Sequence, residues 1–363
     1  MQDFCPIKRV DHLELYVGNA KQAATYYARS FGFAATAYRG LETGDRNTAS
    51  YVLEQGHVRV LVTAALTPDH RIAQFVFEHG DGVGVIALEV PDAAKAFEAT
   101  TSRGAEAAID PAEERDSHGV LRYAAIRGYG DTLIKFVERT GYRGGFAPGF
   151  GPCQTIPTTP SGLAAIDHIV GNVELGGMDR WVKFFADTMG FTQLVHFDDK
   201  KITTEYSALM SKVMQDGTGR IKFPINEPAT GRRKSQIQEY LEYNHGPGVQ
   251  HIAFATRDIV ATVSDLRARG LEFLRVPDTY YEDLERRIGK IDEATEDLAR
   301  LGILADRDDE GYLLQIFTQP VEDRPTLFFE VIERHGSRGF GEGNFKSLFQ
   351  AIEREQARRG NLV

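Results

Sequence analysis

The chain carries one plan twice, and that repetition constrains its fold more than any other feature. Val10–Phe33 (VDHLELYVGNAKQAATYYARSFGF) lines up with Ile166–Phe191 (IDHIVGNVELGGMDRWVKFFADTMGF). Both read apolar residue, Asp, His, apolar residue, then a strand, a helix and a closing Gly-Phe. Gly80–Gly104 matches Gly246–Gly270, again strand then helix, and Ile134–Gly141 (IKFVERTG) matches Phe329–Gly336 (FEVIERHG). Three matches in the same order mark an internal duplication.

Local patterns fill in the plan. Lys8–Val17 alternates apolar and polar residues as a strand does, and Asn19 opens a helix over Ala20–Phe31 that Gly32 ends. Strand-like runs follow at Phe33–Tyr38, Thr48–Leu53 and His57–Leu66, then a short helix at Ile72–His79 and a strand at Val83–Val90. Asp92 is placed to cap a helix over Ala93–Arg103, and Leu121–Arg127 and Thr132–Arg139 complete the half. Each half divides into two strand–helix–strands units. The expected class is α+β: four βαβββ modules in two tandem domains, with curved, mostly antiparallel sheets around a metal-containing cavity. A chain of 363 residues is longer than one core needs. Gly141–Gly162, rich in Gly, Pro and Thr, reads as the connection. The expected domains are 1–150 and 163–363, with a linker at 151–162.

Composition narrows the function classes. A net charge of -10 argues against binding nucleic acid or an anionic membrane surface. No apolar run approaches the ~20 residues of a membrane span, and the first residues do not read as a leader peptide. A cytoplasmic enzyme is the expectation. With only Cys5 and Cys153, no disulfide framework or thiolate cluster is expected. Any metal must be held by His and carboxylate.

The duplication then acts as an internal control. Glu330 sits inside the apolar strand FFEVI, where a carboxylate is costly to bury unless something positive meets it. Its counterpart in the first half is Lys135, which would repel a cation. His251 falls opposite Val85, whereas His168 falls opposite another histidine, His12. One metal site is therefore expected, in the second half only, from His168, His251 and Glu330. Two imidazoles and one carboxylate with open positions is the arrangement of non-haem Fe(II) oxygenases, although ligand type alone leaves Mn and Zn open. His12 is expected to be a hydrogen-bonded structural residue. His57, His70, His79, His118, His196, His245 and His335 read as surface or local structure. Alternation places Phe328 on the same strand face as Glu330, with Phe329 and Val331 on the other.

Longer motifs carry a family resemblance. FPINEP (Phe223–Pro228), KSQIQEYLEY (Lys234–Tyr243), GPGVQHIAF (Gly246–Phe254), GYLLQIFT (Gly311–Thr318), FFEVIERHG (Phe328–Gly336) and RGFGEGNFKSLFQAIEREQ (Arg338–Gln356) resemble the 4-hydroxyphenylpyruvate dioxygenases of the vicinal-oxygen-chelate superfamily. The resemblance implies an Fe(II) enzyme of tyrosine catabolism. It would convert 4-hydroxyphenylpyruvate and O2 to homogentisate and CO2 by decarboxylation, ring hydroxylation and side-chain migration. Its iron ligands fall on His168, His251 and Glu330. It implies catalytic roles for Gln250, Gln315 and Asn226. Ser207, Asn226, Gln236 and Gln250 would orient the ring; Gln315, Phe317 and Phe328 would line the pocket near the metal. Phe340, Phe345 and Phe349 would close it. It also implies a homodimer or homotetramer. The closing segment makes sense from its own residues: several glycines, Asn344 as a helix cap, and Phe345, Phe349 and Ile352 on one face of a lid helix spanning about 343–359. Two alternatives remain: 4-hydroxymandelate synthase, which oxidises the benzylic carbon of the same substrate, and a non-catalytic ligand-binding protein of the same fold. In the synthase, the positions of Pro224, Asn226 and Phe345 tend to carry other residues.

Overall fold

The structure, a computed structural model, describes residues 4–153, 156–197, 208–229 and 234–361. The first half builds one sheet from β1 (Arg9–Tyr16), β2 (Ala34–Arg39), β3 (Thr48–Gln55), β4 (Val58–Ala65), β5 (Gly82–Glu89), β6 (Ala107–Asp116), β7 (Gly119–Arg127), β8 (Leu133–Glu138) and β9 (Gly151–Pro152). Their order is β6-β7-β8-β5-β1-β4-β3-β2-β9. The second half builds another from β10 (Leu163–Asn172), β11 (Thr192–Phe197), β12 (Ala208–Gln215), β13 (Lys222–Ala229), β14 (Gly248–Thr256), β15 (Leu304–Asp308), β16 (Gly311–Phe317) and β17 (Phe328–His335). Here the order is β11-β12-β13-β10-β14-β17-β16-β15.

Each module is a strand, a helix and three more strands. Its first strand lies parallel to its fourth: β1 with β4, β5 with β8, β10 with β13, β14 with β17. The two modules of a half join antiparallel, through β1–β5 and β10–β14. The sheets are therefore mixed, with antiparallel pairs outnumbering parallel ones.

The module helices are α1 (Ala20–Phe31), α3 (Ala93–Thr101), α4 (Met178–Met189) and α6 (Ile259–Ala268), and α2 (Arg71–His79) and α5 (Gln236–Tyr243) connect modules. Capping follows local chemistry: Asn19 accepts the Gln22 N–H and Asp92 the Lys95 N–H. Three short helices, α7 (Thr279–Glu282), α8 (Leu284–Ile288) and α9 (Thr295–Leu301), are inserted in the last module, and α10 (Phe345–Arg358) follows the last strand.

Three local expectations need correction, and one strand was not expected. Ala107–Asp116 is a strand although its sequence shows no alternation. It lies at the sheet edge, largely exposed, where Pro111 and charged residues are tolerated. Gly151–Pro152, expected in the linker, pairs with β2 at the opposite edge. Asn344 makes no side-chain cap. It is buried, and its Oδ1 accepts the Tyr280 hydroxyl at 2.6 Å. His79 is not a surface residue: it is buried between the halves, with Nδ1 2.5 Å from the Asn244 carbonyl and Nε2 2.9 Å from Asp131.

The halves share a core. Helix α1 packs on its own sheet and, through Phe31, against Phe329 of β17 (ring centroids 4.9 Å). Phe329 stacks on Phe254 at 5.4 Å, and Phe254 meets Phe33 at 6.0 Å. The back of β17 is thus held by the first half, while its front faces a cavity.

Near this seam, burial holds the Glu322 carboxyl well above the usual carboxylate range. Nearby Asp81 adds to the effect and Arg324 opposes it. A carboxyl whose folded pKa is raised supports folding while protonated and loses that contribution as pH rises through the folded pKa. Glu322→Gln should therefore stabilise the protein by about 1 kcal/mol at pH 8 and change little at pH 4. Thermal melts at the two pH values test this; equal shifts at both would contradict it.

Candidate metal centre and adjoining cavity

The pairing register assembles three side chains that are far apart in sequence. His168 on β10 sits opposite Ala253 on β14, and Ala253 sits opposite Glu330 on β17. Residues side by side on neighbouring strands share a face, and His251, two residues before Ala253, shares it too. The small side chain of Ala253 lets its neighbours meet above it. The His168 Nε2 lies 3.0 Å from the Glu330 Oε2, and the His251 Nε2 lies 3.4 Å from the same oxygen. All three residues are buried, and their ligand atoms fall within 4.8 Å of one another. Two imidazole nitrogens and one carboxylate oxygen converging on a cavity fit a divalent metal.

A second layer orients these ligands. The β10 register shifts between Ile166 and His168, so Asp167 lies beside its neighbour despite strand alternation. An Asp167 oxygen is 2.7 Å from the His168 Nδ1, and Arg334 grips both Asp167 oxygens at 2.8 Å each. An acceptor at Nδ1 holds the ring proton there and leaves the Nε2 lone pair facing Glu330. The Gln250 Oε1 does the same for His251, at 3.0 Å.

Charge follows this geometry. Burial alone would raise the Asp167 pKa, but Arg334 and His168 hold it well below the usual carboxylate range. Burial likewise opposes ionisation of Glu330, and the two imidazoles outweigh it, so its pKa is lowered. Replacing Asp167 with Asn should weaken metal affinity about 10–100-fold while the fold persists. Metal titration of the variant checks this, and unchanged affinity would show that Asp167 has no orienting role.

The first half repeats the second layer without the site. Asp11 lies 2.6 Å from the His12 Nδ1 and accepts Arg139 at 2.8 Å. Sequence reasoning assigned no role to Asp167 or Arg334. The signal was present, since Asp-His and Glu-Arg recur in both halves.

The triad opens into a cavity of about 590 Å3. Asn226 of β13, Gln236 at the start of α5, Gln250, Phe317, Phe328, Phe340 and Phe345 line it. The Phe328 ring stacks on His251 at 4.7 Å, and Phe340 meets His168 edge-on at 5.2 Å. Asn226 donates to the Asn172 Oδ1 at 3.3 Å. Gln315 shares a strand face with Phe317 but is not in the lining. Its amide lies under Gly341, where a Cβ would fall 2.1 Å from the Nε2, and that Nε2 is buried without a hydrogen-bond partner. Ser207 lies outside the described residues, as does the side chain of Phe349. Ser211, Val170, Val213, Leu348 and Ile352 also line the cavity. Of these, sequence reasoning had singled out only Ile352. Leu348 lies three residues after Phe345 and four before Ile352, so helical spacing could have found it. Ser211 owes its place to pairing opposite Asn226.

Residues 9–133 and 165–316 match the profile of the Glyoxalase/Bleomycin resistance protein/Dioxygenase superfamily. The 4-hydroxyphenylpyruvate dioxygenase of Danio rerio is 48% identical over 363 residues, spanning 97% of this chain and 91% of its own. That of Dictyostelium discoideum is 47% identical over 364 residues (97% and 99%), and that of Yarrowia lipolytica 46% over 368 (97% and 93%). The solved structure of a triple mutant of 4-hydroxymandelate synthase from Streptomyces coelicolor superposes with a TM-score of 0.87 at 35% identity, covering 97% of this chain and 99% of that one. The fold is shared with that synthase, and identity is higher to these three dioxygenases than to it. With its two curled mixed sheets and its buried His-His-Glu cluster, the chain belongs to the 4-hydroxyphenylpyruvate dioxygenase family of enzymes.

Proposed function

We propose that the protein holds Fe(II) between His168, His251 and Glu330 and converts 4-hydroxyphenylpyruvate and O2 to homogentisate and CO2. The observation that carries this reading is the convergence of the three ligand atoms at a cavity walled by phenyl rings and side-chain amides. When bound, the iron supplies the redox chemistry with O2. Two neutral imidazoles and one carboxylate leave a divalent ion with a net charge of about +1, which favours an anionic 2-keto acid.

The chain's own residues bind, orient and shield. Asp167 and Gln250 hold the imidazoles in the tautomer that presents Nε2. Phe317 and Phe328 offer ring faces and edges to an aromatic substrate. Asn226, Gln236 and Gln250 supply amides for the phenol, and the unpartnered Gln315 Nε2 is a donor available to a bound ligand after a small shift of Gly341. Helix α10 closes the cavity with Phe345, Leu348 and Ile352, which excludes water from the reacting centre.

Product analysis is the direct test. Purified iron-loaded protein should release homogentisate; hydroxymandelate would place it with the synthase, and absence of O2 uptake would leave a binding protein. The amide roles predict a substrate-selective effect. Asn226→Ala or Gln236→Ala should raise KM for 4-hydroxyphenylpyruvate about 2–10-fold, the worth of one hydrogen bond. The same variants should handle phenylpyruvate, which lacks the phenol, as the parent does. Equal losses on both substrates would remove these amides from ring recognition.

A further inference from the structure

We infer that the first half carries a second binding site, separate from the metal centre, that takes a small aromatic carboxylate. Its sheet lines a cavity, open to solvent on one side, of about 1190 Å3, against about 590 Å3 beside the triad. The cavity occupies the duplicated position. His12 pairs with Ala87, and Ala87 with Lys135, the same row that His168, Ala253 and Glu330 form in the second half. Val85 stands where His251 would be, and an ammonium replaces the carboxylate. A metal has no place there; the inverted charge suits an anion.

The neighbouring charges show what is left to bind. Arg139 is engaged by Asp11, and Arg39 by Asp45 at 3.0 Å, with Glu114 3.8 Å away. Glu14 accepts the Thr63 hydroxyl, and Glu114 accepts that of Tyr123. The Lys135 ammonium lies 4.4 Å from the Tyr123 centroid, and Glu14, Glu114 and Asp11 act on it only from beyond ion-pair distance. Arg71 donates to the Tyr16 hydroxyl at 2.7 Å. Among the described residues, neither Lys135 nor Arg71 reaches a carboxylate at ion-pair distance.

A cation withdrawn from water without a counter-ion in contact is costly, and burial depresses the Lys135 pKa although Glu14, Glu114 and Asp11 oppose the shift. A carboxylate between an ammonium and a guanidinium fork satisfies both. With Arg139 held by Asp11 and Arg39 by Asp45, Lys135 and Arg71 are the two lining cations without a carboxylate at ion-pair distance among the described residues. Phe146 and Phe150, in edge-on contact at 4.8 Å, and Tyr123 give the ligand's body aromatic walls. His12, with Nδ1 committed to Asp11, leaves Nε2 to accept from a ring hydroxyl.

The test is equilibrium dialysis of the iron-loaded protein against 4-bromobenzoate. The wild type should bind one molecule per chain more than Lys135→Met. Lys135→Arg should restore that molecule, and turnover of both variants should equal the wild type. The Lys135-dependent affinity should differ about tenfold or more between wild type and Lys135→Met, the worth of a charge-assisted contact. Equal stoichiometry and affinity in wild type and Lys135→Met would overturn the proposal. If Lys135→Met loses turnover through misfolding, bromine anomalous scattering from wild-type crystals decides instead. A peak between Lys135 and Arg71 supports the site, and its absence at saturating probe rejects it.

Discussion

Glu330→Gln should yield a folded chain that retains almost no metal and has lost turnover by about a thousandfold or more. The substitution keeps the side chain's shape and removes its charge. In the interior that charge is what opposes a divalent ion, since the imidazoles contribute none. Without metal, the carboxylate is stabilised by His168 and His251, at 3.0 and 3.4 Å. The amide offers an N–H donor to an Nε2 lone pair as well as a carbonyl oxygen, so the strand has no reason to move. Metal content per chain, O2 uptake with Fe(II), ascorbate and 4-hydroxyphenylpyruvate, and circular dichroism read the three parts separately. A variant that kept parental metal and turnover would end the assignment of Glu330 as a ligand.

Truncation after Glu342 should lower turnover about a hundredfold and let O2 be consumed without matching homogentisate. It removes one wall of the cavity, since Phe345, Leu348 and Ile352 all come from α10. The helix is moored from its far end. Arg359 donates to Glu239 at 2.8 Å, Asn361 donates to the same carboxylate at 3.0 Å, and Arg354 donates to the Arg275 carbonyl at 2.9 Å. Both sheets are complete by His335, so the truncated chain should still fold and hold metal. The ratio of O2 consumed to homogentisate formed is the measurement. A truncated protein with the parental ratio and rate would show that α10 only packs on the surface.

Much of the fold was legible because the chain repeats itself. Four modules follow from three aligned segments, and each strand–helix start announces itself by alternation, then four-residue spacing, then Gly. Edge elements were not legible. Ala107–Asp116 is a strand because β7 offers it hydrogen bonds, not because its own residues alternate. The inserted helices α7 to α9 have no counterpart in the first half, so the repeat could not announce them. At the site, Glu330 stood out as a carboxylate in an apolar strand, and comparison with Lys135 isolated it further. Phe328 followed from alternation alone. Gln315 illustrates the limit: its motif placed it in the pocket wall, whereas contact with Gly341 keeps it just behind. Asn344 looked like a helix cap and serves the Tyr280 hydroxyl instead.

The sequence by itself determined the duplication, the module order, the carboxylate inside the apolar run of the last strand and the two histidines that accompany it. These are properties of composition and spacing along the chain. Only the tertiary structure decided which atoms meet. The row His168–Ala253–Glu330 depends on the register of three strands, and the Asp167 contact depends on a register shift in β10. The back of β17 is covered by α1, an element some three hundred residues earlier in the chain. Register and depth are set by pairing between remote segments, and local periodicity carries no information about which remote partner a strand will find.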